Sequence, residues 1–191
     1  MYRINEIFLS LQGEGYHTGM PAVFVRFSGC NLHCSFCDTD FKKYTLYSVE
    51  DICKKVNSLL TDIEAIPARS TLLILTGGEP SLQADEALIE SLHKVVRTIC
   101  IETNGTHTLP NGIDWVTCSP KEGSHIIIQE ADEVKVVYTG QNVEHWRTSI
   151  QAKHYFLQPC SCLNTQETIS YIQHYPDWRL SLQTHKLINI R

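Results

Sequence analysis

Cys30, Cys34 and Cys37 place three thiols within eight residues, directly after the β-rich run Ala22–Phe27 and before any helical pattern. Thiols gathered this closely on one loop are placed to hold an ion or a cluster. Three is the informative number. Four thiolates close a structural zinc site or an electron-transfer cluster, whereas three leave one iron of a [4Fe-4S] cluster open to a substrate or cofactor. The spacing alone also admits a zinc site completed by His33 or a distant cysteine, and surface thiols that merely cluster.

The rest of the chain suits a reducing compartment, where clustered thiols bind metal more often than they pair. Met1–Glu6 has no basic segment followed by an apolar stretch, so no secretory signal is expected. Runs such as Leu72–Leu75 and Ile126–Ile128 are too short to span a bilayer. A cytoplasmic protein without membrane contact is the expectation. Sixteen Lys plus Arg against 21 Asp plus Glu leave a net charge of -5, so no positive field exists to hold a nucleic-acid backbone. With 42% hydrophobic and 19% charged residues, the 191 residues read as one globular domain spanning 1–191.

Short apolar runs alternate with helical stripes. Ala22–Phe27, Thr71–Leu75, Thr98–Ile101, Trp115–Cys118, Val134–Tyr138, Tyr155–Leu157 and Leu180–Leu182 are predicted strands. Val49, Ile52, Cys53, Val56, Leu59 and Leu60 form one 3.6-residue stripe, with Ser48 placed to cap it. Ala84, Leu88, Leu92, Val95 and Val96 form a second, and Thr165–His174 a third helical segment. Such alternation implies parallel pairing. A complete eight-fold barrel needs about 250 residues, so an α/β partial (β/α) barrel of about six parallel strands, reduced in helix content, fits better, with a doubly wound sheet as the other architecture. In either, ligand sites form where strands end. Ser28-Gly29-Cys30, Thr76–Pro80, Glu102–Gly105, Ser119-Pro120-Lys121 and Gln158-Pro159 each follow a predicted strand and should meet at one mouth.

The C-x3-C-x2-C loop after the first barrel strand resembles the signature of the radical S-adenosylmethionine (SAM) superfamily, and Thr76-Gly77-Gly78-Glu79-Pro80 resembles its GGEP motif. The resemblance implies that Cys30, Cys34 and Cys37 hold a [4Fe-4S] cluster whose open iron chelates SAM. One electron then cleaves the sulfonium to methionine and a 5'-deoxyadenosyl radical. It further implies that Phe36 packs near the adenine, and that Cys37, Asp38, Gly78, Glu79, Ser119, Pro120, Lys121, Gln158, Pro159, Cys160 and Ser161 contact the cofactor. Cys160 is not a residue the pattern would place there.

Both ends narrow the resemblance. Ile7–Gly15, Gly19–Phe27, Cys37–Phe41 and Leu180–Arg191 are similar to segments of the 7-carboxy-7-deazaguanine synthase family, across the whole chain. That family implies conversion of 6-carboxy-5,6,7,8-tetrahydropterin to 7-carboxy-7-deazaguanine with loss of ammonia, a carbon-nitrogen lyase reaction of queuosine-type 7-deazapurine biosynthesis. No catalytic residue beyond the cluster and cofactor is implied. Substrate contacts would come from Leu11, Gln12, Gly13, Glu14, Arg26, Thr76, His185 and the terminal Arg191, where proline is common. The Thr39 hydroxyl would bind Mg2+. A flavodoxin- or ferredoxin-type electron donor and a homodimer are also implied.

Two alternatives are weighed against this. A glycyl-radical-enzyme activase shares the cysteine loop and acts on a protein partner, but would not be expected to carry these two ends. A non-catalytic zinc or iron-sulfur binding module would make the GGEP turn and the terminal motifs coincidences. Cys53, Cys100 and Cys118 read as packing, and Cys160 and Cys162 as incidental thiols. His33 is expected to face away from the cluster, and Trp115, Trp146 and Trp178 to be core or interface residues.

Overall fold

The computed structural model describes residues 1–37, 43–61 and 71–191. Nine strands form one sheet: β1 (Tyr2–Leu11), β2 (Pro21–Phe27), β3 (Thr45–Tyr47), β4 (Leu72–Gly77), β5 (Thr98–Thr103), β6 (Trp115–Cys118), β7 (Glu130–Tyr138), β8 (Gln151–Pro159) and β9 (Arg179–Leu180). Their order is β3-β1-β2-β4-β5-β6-β7-β8-β9. From β2 to β9 every pairing is parallel, giving six full strands and a two-residue seventh. This is the expected partial barrel of parallel strands. β1 and β3 were not expected as strands; they extend the β2 edge in antiparallel fashion. β1 escapes a strand reading because its burial is irregular, with a register shift between Ile4 and Glu6.

Helices are few: α1 (Val49–Thr61), α2 (Glu86–Leu92), α3 (Glu144–Ser149), α4 (Thr165–His174) and α5 (Thr184–Leu187) among the described residues. Ser48 caps α1 as its sequence position suggests. Its hydroxyl accepts the Asp51 N–H at 3.1 Å and donates to the Asp51 carboxylate at 2.9 Å. α2 is shorter than its apolar stripe. Asp85 accepts the Leu88 N–H at 2.9 Å at its start, and the helix ends at Leu92, so Val95 and Val96 pack from the turn that follows. α3, missed in the sequence, carries Trp146 onto the far part of the sheet.

Strand alternation divides the molecule into two faces. Val23, Val25 and Phe27 of β2 and Leu73 and Leu75 of β4 turn outward, where Ile52, Val56 and Leu60 of α1 and Leu88 and Leu92 of α2 cover them. Ala22, Phe24, Leu72, Ile74 and Cys100 turn to the other side and pack with Phe8. Further along the same strands this inner face becomes polar, with Arg26, Thr76, Glu102, Lys135 and Gln158 lining a cavity. Apolar burial at one end and charge at the other fix where a ligand can sit.

The sheet curves enough for its distant parts to meet. The loop after β1 reaches β7 and the chain beyond β9: the Tyr16 N–H donates to Glu133 at 2.8 Å, and the Gly15 N–H to the Ser181 hydroxyl at 2.9 Å. The Thr184 N–H donates to the Gly13 carbonyl at 2.9 Å. A Cβ on Gly13 would sit 2.3 Å from His185 Nδ1, so only glycine lets α5 close on this loop.

Candidate active site

The polar inner face opens into a cavity of about 590 Å3 at the C-terminal ends of the parallel strands, a size suited to a cofactor and a small molecule together. All five strand-end clusters contribute to it: Cys30 after β2, Thr76–Glu79 after β4, Glu102–Asn104 after β5, Ser119 and Lys121 after β6, and Gln158–Pro159 at the end of β8. Cys34, Phe36 and Cys37 extend the wall begun by Cys30. Cys160 and Ser161 line it from the opposite side, in a 3-10 turn where Ser161 and Cys162 both have positive φ. Leu11, Gln12, Gly13, Glu14, Arg26, His185 and Arg191 complete the enclosure. Pro120 is buried between Ser119 and Lys121 and does not itself line the cavity. Asp38 and Thr39 lie outside the described residues.

The GGEP turn is built onto the cysteine loop. The Gly78 N–H donates to Phe27 O and the Glu79 N–H to Gly29 O, both at 2.9 Å, which carries the β2–β4 pairing past the strand ends. Glu79 is 1% exposed. Its Oε1 accepts from the Ser81 N–H at 3.0 Å, the Ser81 hydroxyl at 2.6 Å and the Thr103 hydroxyl at 2.7 Å. Its Oε2 accepts the Asn104 N–H at 2.6 Å and keeps a lone pair for a ligand ammonium. The carboxylate therefore anchors two loops before it meets any cofactor.

The three thiols fit a cluster by the chemistry of the set. Burial pushes the Cys30 thiol up, and the charges of Glu79, Cys34 and Cys37 push it further, against one N–H from Leu32. A thiol that burial and nearby negative charge disfavour as thiolate gains most from a bound metal ion, which takes the thiolate form. Among the described residues no three His, Cys, Asp or Glu side chains converge on a single ion position; a cubane takes each thiolate on a different iron and asks for no such convergence. His33 is exposed and lies off the cavity wall. Lys121 donates to the Ser119 carbonyl at 2.6 Å and hydroxyl at 2.8 Å, and burial draws its amine below the ordinary lysine value.

The end of the cavity away from the thiols is ionic. Lys135 Nζ lies 2.6 Å from Glu14 and 3.2 Å from Glu102, and Gln183 donates to Glu14 at 2.9 Å. Thr76 donates to Glu102 at 2.9 Å, and Gln12 at 3.1 Å. Burial would raise the Glu14 pKa, but Lys135 overrides it and holds the carboxyl down to about 2. Burial raises that of Glu133. At the rim, Glu6 bridges Arg26, at 2.9 Å, and Arg191. The Arg191 guanidinium lies 4.9 Å from the Phe8 ring centroid, and Ser10 donates to the Arg191 main-chain oxygen at 2.5 Å.

Sequence reasoning missed Lys135 and Gln183 as members of the site, and placed Glu102 at the mouth in the strand-end cluster Glu102–Gly105 without a role. A lone lysine within the valine-rich run Val134–Val137 is the signal that could have found the first. Gln183 carries no such mark.

A three-thiol loop, a glycine turn locked beside it and a cavity at the ends of parallel strands define a radical SAM protein. The model of the radical SAM superfamily matches residues 24–154, and the chain belongs to that superfamily. The chain is 56% identical over 191 residues, all of both chains, to a protein of Bacteroides thetaiotaomicron named 7-carboxy-7-deazaguanine synthase. A protein of the same name from Bradyrhizobium diazoefficiens is 39% identical over 215 residues, covering 100% of this chain and 99% of that one. The crystal structure of QueE from Escherichia coli superposes with a TM-score of 0.76 at 29% identity, over 95% of this chain and 93% of that one. Within the superfamily, the chain belongs to the 7-carboxy-7-deazaguanine synthases. No described helix is long and apolar enough to cross a membrane.

Proposed function

We propose that the chain, acting as one domain over 1–191, converts 6-carboxy-5,6,7,8-tetrahydropterin to 7-carboxy-7-deazaguanine with loss of ammonia. The observation that carries this reading is that one cavity has the three-thiol wall at one end and, at the other, Glu14 and Glu102 paired on the buried Lys135. The first suits a cluster, and the second suits the donor-rich edge of a reduced pterin.

Cys30, Cys34 and Cys37 would hold the [4Fe-4S] cluster, and Phe36, Gly78, Glu79, Ser119, Lys121, Gln158 and Ser161 would seat SAM. When bound, these groups supply one-electron cleavage of the sulfonium and abstraction of hydrogen from the substrate. The protein's part is to orient, to exclude water and to hold charge. Glu14 accepts from the pterin's amino edge. Arg26, pinned by Glu6, offers a planar fork to a carboxylate or ring carbonyl. His185 closes over the ring from α5. Thr39 would contribute a hydroxyl to Mg2+ beside the substrate carboxylate, an arrangement natural for an ion that keeps most of its waters. A flavodoxin- or ferredoxin-type donor, a homodimer and a cytoplasmic location complete the proposal.

The test is anaerobic incubation with reductant, SAM, Mg2+ and the carboxytetrahydropterin, following the deazaguanine and ammonia by mass spectrometry and enzymatic assay. Both products are expected. Radical transfer to a protein partner in place of product would favour the activase, and a colourless protein holding one zinc would overturn the radical reading. Thr39→Ala should weaken the Mg2+ dependence; an unchanged requirement would remove Thr39 as the metal ligand.

A further inference from the structure

Lys135 belongs to no sequence motif, yet the ionic end of the cavity is built around it. Its side chain is 6% exposed, and it reaches Glu14 from the loop after β1 and Glu102 from β5. Other carboxylate oxygens are held by neutral donors: Gln183 on Glu14 Oε1, and Thr76 on Glu102 Oε2. Two acceptor-only groups thus face the cavity in fixed orientation. Glu133 on β7, His185 on α5 and Lys121 beyond β6 also act electrostatically on this group. The carboxylates outnumber the ammonium at its centre, so the site is short of N–H donors.

We propose that Lys135 is the positioning residue that sets substrate specificity. By standing between Glu14 and Glu102 it holds the two carboxylates side by side and aimed to accept from the ring N–H and exocyclic amino group of an aminopyrimidinone. The inference rests on the pterin reading and deepens it. Without the ammonium, the two neighbouring half-buried carboxylates would repel, and proton uptake by one would relieve it. A carboxylic acid then presents a donor where the ligand needs an acceptor. Lys135 itself moves no proton, because the surrounding carboxylates hold its amine well above the ordinary value.

The test compares two ligands on the anaerobically reconstituted protein with SAM present: the carboxytetrahydropterin, and its analogue with the 2-amino group replaced by oxygen. Dissociation constants are measured by calorimetry for the wild type, for Lys135→Met and for the double variant E102Q/K135M, which removes the cation with one of its anions. The wild type should prefer the pterin by about 100-fold or more, as buried acceptors demand. Both variants should lose that preference to within about tenfold, chiefly by weaker pterin binding, while cluster absorbance and SAM affinity stay unchanged. If K135M does not fold, E102Q/K135M is read against E102Q alone: the double variant should lose more of the preference than E102Q, and an equal preference in the two overturns the role of Lys135. A preference preserved in either folded variant overturns the role of Lys135 alone, as does a wild type that binds both ligands equally. A wild type that binds no pterin overturns the substrate reading and this inference with it.

Discussion

Glu79 Oε2 accepts the Asn104 N–H at 2.6 Å, tying the turn after β4 to the loop after β5 across the floor of the cofactor end. Oε1 of the same carboxylate holds three more donors. Glu79→Ala would leave all four donors without this partner, a loss of about 3 kcal/mol. The melting temperature should fall by roughly 6–12 °C, and SAM affinity should fall with it. Glu79→Gln, which keeps two polar atoms, should lose less stability than affinity. Calorimetric melting and equilibrium dialysis with SAM separate the two effects.

Gly78 backs directly onto the cysteine loop. A Cβ there would lie 2.0 Å from the Gly29 carbonyl oxygen and 2.6 Å from its carbon. Both are backbone atoms, so no side chain can give way. Gly78→Ala should therefore displace Cys30 and lose most of the bound iron after reconstitution, read by iron analysis. Full iron content in G78A would show that the loop accommodates the methyl group.

The eight cysteines should divide cleanly by iron. Alanine at Cys30, Cys34 or Cys37 should abolish the cluster absorbance and turnover. Cys100 and Cys118 are 4% and 0% exposed, and their replacement by alanine should cost about 1–2 kcal/mol each through lost packing, with iron retained. Cys53, packed at the edge of the same core as α1, should cost less. Iron retention in Cys160→Ala would place that thiol outside the cluster.

Two buried carboxylates should respond to pH in opposite senses. Glu14, held down to about 2 by Lys135, contributes stability that is complete above its unfolded value of 4.5 and is lost as pH falls toward 2. Glu133 is raised by burial, so its ionised form is disfavoured in the fold, and its cost grows as pH rises through the folded value. Glu133→Gln keeps an oxygen for the Tyr16 N–H and should raise stability at pH 8, with almost no gain at pH 4. Melting temperatures at the two pH values check it; equal shifts at both would refute the assignment.

The features legible in the chain are local. The three thiols, the GGEP turn and the Ser48 cap depend on residues a few positions apart, and α1, α4 and the apolar parallel strands follow from periodicity. These features fixed the class of fold and the cofactor end of the cavity. The antiparallel edges β1 and β3 lay hidden, because their pattern is irregular or only three residues long and their pairing is with distant strands. That Glu14, singled out in the sequence, pairs with Lys135 beside Glu102 and Gln183 follows only from the tertiary fold. Glu14, Glu102, Lys135 and Gln183 are separated by between 33 and 169 positions, and only the curvature of the sheet brings the loop after β1 against β7 and α5. A buried ammonium is stabilised by charges that arrive from elsewhere in the chain, and no periodicity in its own strand encodes them.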